Sequence, residues 1–109
     1  MDQNTFTLLE TYMISCMEDS AHDKDHVYRV LYNALRIAKK EQNVDYDVLI
    51  CACLLHDIGR KEQFENPKLC HAIVGSEKAY SFLIRNGNLQ RYCFGTNLFS
   101  YAGWLCFQW

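Results

Sequence analysis

Apolar and polar positions alternate along the chain with a period close to that of an α-helix. In residues 5–19, Phe6, Leu8, Leu9, Tyr12, Met13, Cys16 and Met17 recur at intervals of three and four, which predicts an amphipathic helix with Thr5 as its cap. The polar break DSAHDKD at 19–25 follows. Either Asp23 or Asp25 can cap a second helix that runs to about Glu41, with Val27, Val30, Leu31, Ala34, Ile37 and Ala38 as its buried stripe. Positive charge gathers in its last turns, where the helix dipole favours it. His26 opens this helix and borders the apolar stripe. A short connection ends at Asp45, a further N-cap candidate. From Tyr46 to Leu55 the chain is almost wholly apolar. Such a run fits a buried strand or a helix buried on all sides, and its length and its Ala and Leu content favour helix. Residues 59–68 read as a charged loop holding the only proline, Pro67. Helix resumes near Cys70 with His71, Val74, Ala79, Phe82 and Leu83 on one broad face, and Asn86-Gly87 ends it with left-handed backbone. The pattern predicts an all-α, compact helical bundle over residues 5–87, with four helices, short connections and no strand pair.

Composition changes this picture at one end. The chain has 109 residues, half of them hydrophobic, enough for one domain with one core. That domain is expected over residues 1–87. Residues 88–109 break the pattern: from Tyr92 to Trp109 there are seven aromatic residues and no charged one. Such a segment must pack, pair with another chain or aggregate, so a homo-oligomer formed through it is expected. The abrupt change after Asn88 suggests a truncated or altered C-terminus. No apolar run approaches the roughly 20 residues of a membrane span, and the polar N-terminus lacks the basic and apolar regions of a secretory signal. No membrane association is expected. A formal net charge of −2 offers no electrostatic footprint for specific nucleic-acid binding. Of the six cysteines, at 16, 51, 53, 70, 93 and 106, the first four fall within apolar helical patterns and none forms a C-x-x-C pair. Reduced thiols in a cytoplasmic protein are expected.

The chemistry concentrates in CACLLHDIGR at 51–60, where an apolar run delivers His56 and Asp57 side by side. Burying such groups costs several kcal/mol, about 2–7 even for an uncharged polar group, unless they are paired or bound to a metal. An imidazole and a carboxylate are both good ligands for a divalent ion. The alternative is an ordinary helix C-terminus, with His56 satisfied by a carbonyl and Asp57 in solvent. His26 lies thirty residues earlier, about the span of two antiparallel helices with a short connection, which would bring it to His56 and Asp57. Two imidazoles and one carboxylate would then converge, leaving positions for water and substrate, as catalytic sites do.

HVYRV at 26–30 with Ala34, then ACLLHDIGR at 52–60, and the later helix with His71, Ala79, Leu83 and Asn86-Gly87 resemble the HD superfamily of metal-dependent phosphohydrolases over roughly residues 20–87. The resemblance implies an HD-domain-like helical bundle with His26, His56 and Asp57 as ligands of a divalent ion (Mn, Mg, Fe, Ni or Zn). It implies hydrolysis of a small phosphorylated substrate such as a nucleotide, with Asp57 anchoring the ion and accepting a proton from water. It also implies that His22, Asp23 and His71 line the phosphate side of the pocket. Arg60, Lys61 and Lys24 are phosphate contacts by charge alone. The family's fourth ligand is an aspartate on a later helix, and no aspartate follows Asp57 here. A catalytically impaired metal-binding or protein-interaction module of the same fold therefore stands as the alternative, and a plain helical interaction domain with the aromatic tail as docking surface as a third. The coordination argument predicts weaker ion binding than in a member with all four ligands, and slow phosphoester hydrolysis.

Overall fold

The computed structural model describes residues 1–17, 21–90 and 92, without the side chains of Ala21, His22, Asp23, Ala72 and Asn88. Among the described residues there are five α-helices and one 3-10 turn: α1 Gln3–Cys16, α2 Ala21–Ala38, α3 Tyr46–Leu55, α4 Arg60–Glu65, α5 His71–Arg85 and the turn Gly87–Leu89. No strand is present among them, and the fold is all-α. No described helix is long and apolar enough to cross a membrane.

The centre of the fold is α3. Asp45 caps it as expected, its Oδ1 accepting the Val48 N–H at 3.2 Å. Val48, Cys51, Ala52, Cys53, Leu54 and Leu55 are all buried. A helix buried around its whole circumference must be surrounded, and α2, α1 and α5 pack on it. Each brings an apolar stripe: Leu9, Met13 and Cys16 from α1, Val27, Val30 and Leu31 from α2, and Ala79, Phe82 and Leu83 from α5. Leu89 and Tyr92 join the same core. Tyr12 of α1 stacks on Phe82 of α5, with ring centroids 3.9 Å apart.

Several details depart from the expectation. Asp2, not Thr5, caps α1: its Oδ1 accepts the Thr5 N–H at 2.7 Å, because an aspartate three residues ahead offers an ionised acceptor. The second helix starts at Ala21, so Asp23 and Asp25 lie inside its first turns rather than capping it, and His26 sits in its second turn rather than opening it. It ends at Ala38, where the Lys40 and Glu41 amides tighten onto the Ile37 and Ala38 carbonyls and Asn43 turns left-handed at φ 61°. Ile37 is 52% exposed, since the stripe that faces α3 runs through Ala34 and Ala38 instead. The expected charged loop contains α4, stopped at Asn66 ahead of Pro67 because a residue before proline disfavours helical backbone. The end of α5 uses no left-handed residue. The Asn86 side-chain amide instead donates to the Phe82 carbonyl at 2.8 Å. Cys16, Cys51 and Cys53 are buried and Cys70, the N-cap of α5, is exposed, and none of the four is in a disulfide. Cys93, Cys106 and the tail beyond Tyr92 lie outside the described residues.

Candidate metal centre

The backbone of α3 places His56 at its C-cap, and the imidazole turns back on its own helix: His56 Nδ1 lies 2.6 Å from the Cys53 carbonyl oxygen. A carbonyl only accepts, so Nδ1 carries a proton, and Nε2 is the ring nitrogen turned toward Asp57. Asp57 follows at once. Both are buried, His56 at 2% and Asp57 at 9% exposure. The helix-end reading is therefore half right: His56 does meet a carbonyl, but Asp57 is not in solvent.

α2 supplies the third group. One oxygen of Asp57, Oδ2, lies 3.4 Å from His56 Nε2 and 3.5 Å from His26 Nε2. The two imidazole rings have centroids 5.6 Å apart. One donor atom from each of His26, His56 and Asp57 falls within 4.8 Å of the others. Ligand bonds of about 2.0–2.2 Å place donors roughly 3–4 Å apart around one ion. The donor set therefore fits a divalent cation after a small contraction of the cluster.

The electrostatics suit a cation as well. Burial raises the Asp57 carboxyl, but the His56 hydrogen bond and charge, with Arg60 and His26, outweigh it and bring it down to about 2. The group is a carboxylate at any ordinary pH. Its other oxygen, Oδ1, takes a long contact of 3.4 Å from Arg60 Nε.

The remaining candidates separate into groups. Arg60 touches Asp57 with a half-exposed side chain. His71, at the first position of α5, is part-buried, and its Nε2 has no hydrogen-bond partner among the described residues. Burial and the Arg60 charge lower its pKa, against the pull of Asp57, so it stands within electrostatic reach of the cluster. Lys61 is exposed. The side chains of His22 and Asp23 lie outside the described ones. Glu62 accepts from Lys78 Nζ at 2.7 Å. Two features escaped the sequence reading. The Cys53 carbonyl that orients His56 is a backbone atom with no signature in the sequence. Gly59, where the charged loop was expected to begin, is a point of close approach to α5, and Gly75 inside a helical pattern was the signal for it.

No curated protein and no solved structure matches the chain. The family model for the HD domain matches residues 24–97, a span that contains all three converging side chains, and the chain belongs to the HD domain family.

Proposed function

We propose that this protein is a metal-dependent phosphohydrolase that acts on a nucleotide or another small phosphoester, with His26, His56 and Asp57 holding the ion. HD domains bind divalent metals, and the three side chains can hold one. The observation that carries the reading is the meeting of His26 Nε2 and His56 Nε2 on one oxygen of a buried, ionised carboxylate. When bound, a divalent ion supplies charge that polarises a phosphoryl oxygen and acidifies water.

The chain's own groups do the rest. Nε2 of each histidine offers a lone pair, and the bond from Nδ1 of His56 to Cys53 fixes which nitrogen that is. The Asp57 carboxylate would offset part of the ion's charge and could accept a proton from an attacking water. The Arg60 guanidinium and the His71 imidazole would supply donors to the phosphate, and His22, Asp23 and Lys61 are assigned to substrate binding from the sequence alone. The protein works in the cytoplasm on a soluble substrate, and the aromatic residues beyond Tyr92 bring copies of the chain together.

A second reading, metal binding with impaired turnover, is favoured by one observation. Three protein ligands converge among the described residues, and no aspartate follows Asp57. A partly buried divalent ion needs its charge offset, and one carboxylate leaves more of it uncompensated than two would. The test is a Mn2+-supplemented assay over a panel of nucleotides and a generic aryl phosphoester, with His56→Ala and Asp57→Ala beside the wild type. Slow metal-dependent release of product, lost in both variants, is the expected outcome. Mn2+ binding with no turnover on any substrate selects the second reading, and turnover retained in either variant overturns the site.

A further inference from the structure

The turn that carries His56 and Asp57 is gripped from outside by α5, through residues that the chemistry above does not use. Lys78 Nζ donates to the carbonyl oxygen of Ile58, the residue after Asp57, at 2.9 Å, and to Glu62 Oε1 at 2.7 Å. Three residues earlier on the same face of α5, Gly75 lies against Gly59. A Cβ on Gly59 would come within 2.6 Å of the Gly75 nitrogen and collide with the His71 carbonyl oxygen. The side chain of Ile58 is fully buried in the core. The segment 56–59 is thus pinned inward by Ile58, flat against α5 at Gly59, and outward by the ammonium on its carbonyl.

We infer that Lys78 is a positioning residue: it holds the His56–Asp57 turn through its bond to the Ile58 carbonyl, and through that turn the geometry of the ion site. This rests on the metal reading above. An ammonium is no metal ligand, so Lys78 acts only through the backbone it holds. Ile58 lies in the turn between α3 and α4, outside either helix, and a backbone carbonyl there needs a donor from elsewhere to fix it. The four-carbon stem reaches from α5 to the turn, and Glu62, on α4, holds the ammonium at the carbonyl. The ion pair is part-exposed, 24% for Lys78 and 32% for Glu62. Such a pair adds little stability; its consequence is orientation. Supporting contacts of this kind typically alter metal affinity by about 10–100-fold.

The experiment uses the full chain and Mn2+ alone as the probe, with free Mn2+ followed by EPR and helix content by far-UV CD. In parallel, metal-free amide exchange is followed by NMR at Arg60, whose N–H donates to the Asp57 carbonyl oxygen at 3.2 Å. Lys78→Met is expected to keep its helix content, to weaken Mn2+ binding about tenfold or more, and to speed exchange at Arg60. Lys78→Arg is expected to restore most of both. A folded Lys78→Met with wild-type Mn2+ affinity overturns the inference, whether or not exchange changes, because the contact would then be structural only. If Lys78→Met loses helix, Glu62→Ala, which removes the acceptor that holds the ammonium at the carbonyl, is read by the same criteria. A wild type that takes up no Mn2+ overturns the metal reading instead, and the exchange rates alone then decide whether Lys78 holds the turn.

Discussion

Asp57 concentrates the energetics of the site in one side chain. It is buried, it faces two imidazoles through one oxygen and a guanidinium through the other, and its carboxyl is brought down to about 2 from an ordinary 3.8. A carboxyl depressed in the folded state stabilises the fold above its unfolded pKa, and that stabilisation is lost as pH falls through the folded value. The shift corresponds to about 2 kcal/mol. Urea unfolding of the metal-free chain is therefore expected to show a loss of about that size between roughly pH 5 and pH 2, and Asp57→Asn is expected to remove that part of the pH dependence. Equal slopes in wild type and variant would show that the carboxylate is not held as described. His56 has a different job. Its bond to the Cys53 carbonyl occupies Nδ1, so Nε2 is the nitrogen that faces Asp57 and the one available to an ion.

Between α3 and α5 the decisive contact is backbone on backbone. Gly59 has no positive φ, so its side chain is excluded by space rather than by conformation. The atoms a Cβ would meet, the His71 carbonyl oxygen and the Gly75 nitrogen, belong to a helix and cannot rotate aside. Gly59→Ala must push α5 away from the turn. Overpacking of this kind costs about 1–3 kcal/mol, occasionally more, and here it also moves Asp57. A lower melting temperature together with weaker Mn2+ binding is expected, read by thermal CD and by EPR titration. A variant with unchanged melting temperature would mean that the two elements are not in contact. The short α4 follows from the same neighbourhood: Gly59 releases the chain, the Gln63 N–H returns to the Gly59 carbonyl, and Pro67 lies just beyond its end.

Across the whole molecule, α3 is the shared wall on which the other long helices pack, and the cysteines report on that burial. Burial pushes the Cys53 thiol up to about 12, so it stays protonated and unreactive in the folded state. Cys16 and Cys51 are buried as well, whereas Cys70 is exposed. Alkylation of the native chain followed by mass mapping is expected to mark Cys70 early and Cys16, Cys51 and Cys53 only after unfolding. Denaturation without reductant should release six titratable thiols, matching the count in the sequence. Early labelling of Cys53 would contradict the packing of α3.

The bundle was legible in the sequence because helical periodicity is local. Leu9, Met13 and Cys16, or Val27, Val30 and Leu31, announce a buried stripe whatever they pack against, and the apolar run before His56 announces a helix enclosed by others. The His56-Asp57 pair was legible for the same reason, since a polar pair at the end of such a run demands partners. What the sequence could not decide was which of several equivalent local choices neighbours would select. Asp2 competes with Thr5 as a cap, and a helix start at Ala21 competes with one at Asp23 or Asp25; each differs by about 1 kcal/mol or less, so packing decides. Ile37 fell outside the core because the orientation of α2 on α3 is a tertiary matter. Gly59 opened an expected loop, and only the approach of α5 made it a contact. The meeting of His26 with Asp57 across thirty residues of chain belongs to this second class. Local patterning determined that each polar group would sit at the edge of an apolar stripe, and the packing of α2 against α3 decided that they would share one point.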